Sequence, residues 1–241
     1  MGLRFIFMLT RDDKTVDDAE QHLEVALTEG IRHIGFKDVG LQIGRLQTLN
    51  QRIKDSGATS YLEVVSLDKE SEVRSAKVAI EIGVDILMGG TNASAVLPLL
   101  EETGIQYYPF PGNITGHPSV LEGSIAEVVA SAKKLAALEG VHGLDLLAYR
   151  STGDVKSLMT SVCEAVDKPV IIAGSIHNKG RIAEVQAAGS SAFTIGTAAL
   201  DGNYPASGKD IRSQLRAITR DVSEINDHTR RLQGELWPTT D

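Results

Sequence analysis

Cysteine is nearly missing. Cys163 stands alone in 241 residues, so no internal disulfide framework exists, and this usage suits a reducing cytoplasm. Basic charge is also short: 24 Lys and Arg face 32 Asp and Glu, a formal net charge of −8. A general binder of nucleic-acid backbone wants a basic face, so that class is set aside. Long apolar runs are absent, and none approaches the ~20 residues that cross a bilayer. The opening "MGLRFIFMLTRDD" has a brief apolar run, but Asp12 and Asp13 follow at once. It reads as a first strand and not as a signal peptide. No linker rich in Pro, Gly and Ser divides the chain, so a single domain over 1–241 is expected. The six histidines lack HxH or HExxH spacing, so no metal site is read from them. No GxGxxG follows the first strand, which removes the dinucleotide-binding signature. No cofactor is expected, and Mg²⁺ held through Asp38, Glu63 or a substrate phosphate stays open.

What is present is a regular alternation. Eight apolar runs recur: "RFIFMLT" (4–10), "HIGFK" (33–37), "SYLEVVS" (60–66), "DILMGG" (85–90), "QYYPF" (106–110), "GLDLLAY" (143–149), "PVIIAGS" (169–175) and "AFTIGT" (192–197). Most are continuous, as parallel strands buried on both faces should be. Helical patterns fill the gaps at 15–29, 42–56, 69–82, 92–103, 119–138, 154–166, 178–188 and 208–233. Thr15, Asn92, Ser119 and Asn178 are read as their N-caps, and most helices end in glycine. Eight strand–helix units in this length predict an α/β fold, a single (β/α)₈ TIM barrel, with a doubly wound open sheet as runner-up. The last helix exceeds what closure needs. It forms a C-terminal extension over about 208–235, outside the barrel or in a subunit contact; a homo-oligomer stays open.

In such a barrel the C-terminal strand ends carry the chemistry. Lys37 and Asp38 end the second strand, where Lys37 suits substrate binding, acid–base work or Schiff-base formation. Neighbours on a strand point opposite ways, so Asp38 is as readily a structural group as a substrate contact. Glu63 sits inside an apolar strand and is read as entering the lumen. Asp145, deep in the sixth strand, needs a partner such as a lysine across the lumen. Lys37, Glu63 and Asp145 are the catalytic candidates. Asp38, His117 in the turn-rich loop 110–119, and Arg150 after the sixth strand are the substrate-binding candidates. Both last strands end in small residues, Gly174-Ser175 and Gly196-Thr197. Backbone amides there can cradle a phosphate.

The stretch "IIAGSIHNKGRIAEVQAAGSSAFTIGTA" resembles the strand-seven/strand-eight phosphate motif of the phosphate-binding (β/α)₈ barrels. These include ribulose-phosphate epimerases, thiamine-phosphate synthase, the histidine and tryptophan biosynthetic isomerases, and the glycerol-3-phosphate-responsive antiterminator group. The resemblance implies that Gly174, Ser175, Gly196 and Thr197 hold a phosphate. The expected function is an enzyme on a small phosphorylated sugar or sugar acid, an isomerase, epimerase or lyase working through an enediolate or a Schiff base. The alternative is a non-catalytic sensor of a phosphorylated metabolite. Such a sensor needs the cradle but no convergence of Lys37, Glu63 and Asp145.

Overall fold

A computed structural model describes residues 2–66, 68–116 and 118–235. Eight strands build one parallel sheet: β1 (Arg4–Met8), β2 (His33–Lys37), β3 (Thr59–Val64), β4 (Ile86–Gly89), β5 (Gln106–Tyr108), β6 (Leu144–Leu146), β7 (Val170–Ile172) and β8 (Ala192–Ile195). Their order is β6-β7-β8-β1-β2-β3-β4-β5. The open ends meet where Tyr107 bridges Val141 in parallel. There the His142 N–H donates to the Tyr107 carbonyl at 2.9 Å and the Asp145 N–H to that of Pro109 at 3.1 Å. The sheet closes into the expected barrel.

Strand alternation divides the core in two. Ile6, Met8, Tyr61, Ile86, Met88, Tyr108, Ile171 and Ala192 form one buried cluster, the lumen. Phe7, Phe36, Leu62 and Phe193 face the other way, fully buried under the helices. Burying each such side chain contributes about 1.5–3 kcal/mol. Continuous apolar runs follow, because both faces of each strand are dry.

The helices are α1 (Ala19–Thr28), α2 (Ile43–Asp55), α3 (Lys69–Ile82), α4 (Ala93–Leu100), α5 (Ile125–Ala136), α6 (Val155–Ala165), α7 (Lys179–Ala187), the short α8 (Thr197–Leu200) and the long α9 (Ile211–Glu235). Among the described residues no helix is long and apolar enough to cross a membrane. Helix α9 reaches back to the start of the chain. The Asn226 amide accepts from the Leu3 N–H at 2.7 Å and donates to the Leu3 carbonyl at 3.0 Å.

Two elements depart from the expected pattern, and each is a small antiparallel hairpin. The first pairs Thr10–Arg11 with Lys14–Thr15. Asp12 and Asp13 form its two-residue turn, both left-handed at φ 49° and 58°, as a type I′ turn requires. Thr15 is therefore a hairpin residue and not the N-cap of α1, which starts at Ala19. The second pairs Asn113–Thr115 with Val120–Glu122 and consumes the first turns expected of α5. That helix is capped by Ser124, whose hydroxyl and backbone N–H form a capping box with Glu127. Asn178 does cap α7, accepting from the Arg181 N–H at 3.0 Å. Asn92 does not cap α4 with its own oxygen. The buried Glu72 carboxylate of α3 takes the N–H groups of Thr91 and Asn92 at 2.9 and 3.0 Å instead. Gly90 is left-handed, and a Cβ there would collide with Glu72. The "MGGT" stretch thus makes room for an internal carboxylate.

Candidate active site

The C-terminal face of the barrel opens into a cavity of about 780 Å³. Its floor is set by strand register. Lys37, last residue of β2, pairs with Glu63 of β3, and the two side chains rise on the lumen side. Lys37 Nζ lies 3.2 Å from Glu63 Oε2 and 2.7 Å from Asp13 Oδ1. All three are buried, at 4 %, 7 % and 9 % exposure for Lys37, Glu63 and Asp13.

The first hairpin is what delivers Asp13. Its turn swings the carboxylate over the end of β2. Thr15 then fixes the backbone of Lys37, donating to the Lys37 carbonyl at 2.7 Å and accepting its N–H at 2.8 Å. Burial alone would lower the Lys37 pKa. The carboxylates of Glu63 and Asp13 outweigh it and raise the ammonium above the usual lysine range. Burial would likewise raise Asp13, but Lys37 and then Arg150 hold its carboxyl below the usual value.

Arg150 ends a short 3₁₀ turn, Ala148–Arg150, after β6. Its guanidinium is 3.4 Å from Asp13 Oδ1 and 3.5 Å from the Ser119 carbonyl. It lies across Gly174, where a Cβ would come within 2.9 Å of Arg150 Nε. The opposite wall is made of backbone. Gly174 and Ser175 are left-handed, at φ 83° and 56°, and a serine there is strained. The Ser175 carbonyl is held by Arg181 of α7 and lies 3.0 Å from His177 Nδ1. Beside it, Gly196 leads into α8, whose first N–H groups have no intrahelical acceptor. Arg181 completes the wall, stacked over the Tyr149 ring at 4.5 Å.

With this geometry in place, comparison with known proteins is informative. No protein-family model matches the chain. Phosphoribosyl isomerase A of Streptomyces griseus is 31 % identical over 139 residues, covering 52 % of this chain and 55 % of that protein. The S. coelicolor protein of the same name is 30 % identical over the same shares. The chain thus matches about half the length of these curated relatives. Among solved structures, orotidine 5′-phosphate decarboxylase from Pyrococcus horikoshii superposes with a TM-score of 0.66 at 13 % identity, covering 91 % of this chain and 99 % of that one. Phosphoribosylanthranilate isomerase from Thermotoga maritima gives 0.62 at 10 %, covering 92 % and 99 %. The fold is the (β/α)₈ barrel, and no single family is fixed by these matches.

The sequence candidates fall into distinct places. Lys37, Glu63, Arg150, Gly174, Ser175, Gly196 and Thr197 all line the one cavity. Asp38 does not. It faces the helix layer and accepts a hydrogen bond from Ser75 of α3, as its opposite parity requires. That placement gives no support to a Mg²⁺ shared between Asp38 and Glu63. Among the described residues no group of three His, Cys, Asp or Glu side chains is arranged for a metal. His117 lies outside the described residues. Asp145 sits below the cavity, fully buried, and neither carboxyl oxygen has a hydrogen-bond partner among the described residues. The lysine expected to cross the lumen to it is taken by Asp13 and Glu63. Burial, and then the charge of Glu63, push Asp145 well above the usual carboxyl range.

Asp13, Thr15 and Arg181 were not among the sequence candidates. Two successive residues tolerant of positive φ between "LTR" and "KTV" were the available signal for the turn. Arg181 could have been read as the first-turn cation of the helix that follows the small-residue strand end.

Proposed function

We propose that this chain is an enzyme acting on a small phosphorylated sugar or sugar acid, an isomerase, epimerase or lyase that passes through an enediolate. One observation carries the reading. A buried lysine–glutamate pair, 3.2 Å apart, faces the same cavity as the wall Gly174-Ser175 and Gly196-Thr197. With the phosphate anchored on that wall, the far end of the ligand reaches Lys37. Negative charge developing on a carbonyl oxygen there meets an ammonium group already in position. Glu63 is the group to move the proton. Asp145 lies outside the cavity lining, buried beneath that pair.

The raised Lys37 pKa favours this enediolate route over a Schiff base, because an imine needs the neutral amine. A sensor needs no such acid–base pair, so the cluster favours catalysis. The partial match to two isomerases acts in the same direction. We further propose a place in carbohydrate metabolism in the cytoplasm, the latter from the lone cysteine. Self-association through α9 stays a proposal.

Thermal shift with phosphorylated sugars and their unphosphorylated forms tests the ligand class. A ligand at 100 times its Kd adds about 2.7 kcal/mol, roughly 5–11 °C for a domain of this size. Mass spectrometry of a stabilising ligand recovered from D₂O then tests catalysis. The expected result is deuterium beside the carbonyl, lost in Glu63→Gln. No shift from any phosphate at millimolar concentration would sink the ligand class. A shift without exchange or turnover would move the reading to a sensor.

A further inference from the structure

The charges around the cavity are unevenly distributed. At the deep end two cations, Lys37 and Arg150, meet two carboxylates, Asp13 and Glu63, at 2.7, 3.2 and 3.4 Å. Those four side chains balance before any ligand enters, and the exposed Asp12, also in the cavity lining, adds one further carboxylate. At the other end Arg181 makes no ion pair among the described residues. Its guanidinium binds the Ser175 carbonyl and stacks on Tyr149, with His177 beside it. The cavity-lining arginine without a direct ion pair therefore stands at the backbone wall, with the Glu184 carboxylate, itself paired to Lys156, the nearby negative charge. A carboxylate brought to Lys37 would enter a partly desolvated site whose cations are already matched, and it would face Asp13 and Glu63 as like charges. A carbonyl or hydroxyl adds no charge and can accept from Lys37 without displacing either partner.

We infer that the ligand carries its only anionic group at the Gly174–His177 wall and presents an uncharged end to Lys37. This makes it a phosphorylated aldose or ketose and excludes the phosphorylated sugar acids. Asp13 is the specificity-determining residue, because it supplies the second negative charge at Lys37. The inference rests on the phosphate reading of that wall and narrows it.

Matched pairs that differ only at C1 test it: ribose 5-phosphate against 5-phosphoribonate, and glucose 6-phosphate against 6-phosphogluconate, with inorganic phosphate alongside. Stabilisation and Kd are read for the wild-type chain and for Asp13→Asn. Asparagine tolerates the left-handed turn at φ 58° and keeps an oxygen toward Lys37, so the variant is expected to fold. In the wild type the aldose phosphate of a pair should bind at least about tenfold tighter than its acid. In Asp13→Asn that ratio should shrink by about tenfold, through tighter binding of the acid. Equal or tighter binding of the acid by the wild type overturns the inference and leaves the phosphate wall standing. So does binding of inorganic phosphate with no gain from either aldose. A ratio unchanged in Asp13→Asn removes Asp13 as its cause. No binding by any of them, inorganic phosphate included, takes down the phosphate reading and this inference together.

Discussion

Replacing Lys37 with methionine should unbalance the barrel floor in a way that pH can repair. Methionine keeps most of the side-chain length but leaves Asp13 and Glu63 facing each other with 9 % and 7 % exposure. Breaking a buried pair by removing one partner costs about 3–5 kcal/mol. Arg150 still lies 3.4 Å from Asp13, so the lower end applies, about 3 kcal/mol. For a domain of this size that is a fall in Tm of about 6–12 °C at pH 7. The pH dependence gives the sharper test. In the wild type the depressed Asp13 pKa contributes stability above the unfolded-state value, lost as pH falls through the lower folded value. Without Lys37, burial and Glu63 should raise that pKa instead, and its cost vanishes once the carboxyl is protonated. The gap between wild type and Lys37→Met should therefore narrow steadily from pH 7 to pH 4 in calorimetric or fluorescence melts. A Tm change under about 2 °C at pH 7, or a gap that stays constant with pH, would refute the account of a charge-matched floor.

Asp145→Asn should behave in the opposite sense. Its raised pKa means that the folded chain holds a proton the unfolded chain has released, so wild-type stability declines as pH rises above about 3.8. The variant should gain on the wild type by up to about 1.4 kcal/mol per pH unit in that window, seen as diverging denaturation midpoints. Gly196→Ala puts a Cβ 2.7 Å from the Thr10 carbonyl and 3.0 Å from Met8 Cβ. Backbone cannot yield cheaply there, so a loss of about 1–3 kcal/mol should accompany weaker phosphate binding by titration calorimetry. Glu72→Gln keeps the shape but can accept fewer of the bonds now given by Thr91 and Asn92. It should lower the urea midpoint by the equivalent of about 1–3 kcal/mol while phosphate affinity stays unchanged, since Glu72 is not in the cavity wall.

The barrel was legible because its signal is repeated. Eight apolar runs of strand length, each followed by a helix-length polar stretch, leave few alternatives. Glu63 was legible from parity, since a carboxylate in the middle of "YLEVV" must face either the lumen or the helices. Parity also left Asp38 doubtful, and it turned away. Asp13 was hidden for another reason. Its partner Lys37 is 24 residues off, and the link depends on a turn in which two aspartates adopt positive φ. Local periodicity reads "RFIFMLT" as one strand and sees no hairpin. Asp145 was correctly marked as buried, but its lack of a partner follows from competition for one lysine among three carboxyl groups. That outcome belongs to the packed lumen and to no stretch of sequence.

The seam between first and last strands has a consequence for the order of assembly. Strand β1 pairs on one side with β8, through Arg4–Phe7 against Ala192–Ile195, and Leu3 is tied to Asn226 on α9. During synthesis its other edge can be covered by β2 within the first 40 residues. The β8 edge stays open until Ile195 has been made, and the tie to Leu3 forms only with α9. From the making of β1 to the making of β8, a growing chain therefore carries an apolar strand edge, the kind that recruits other chains. The floor of the cavity shares that schedule: Asp13, Lys37 and Glu63 are made early, but Arg150 and the 174–197 wall arrive late. No ligand can meet a finished site until the last stave is in place.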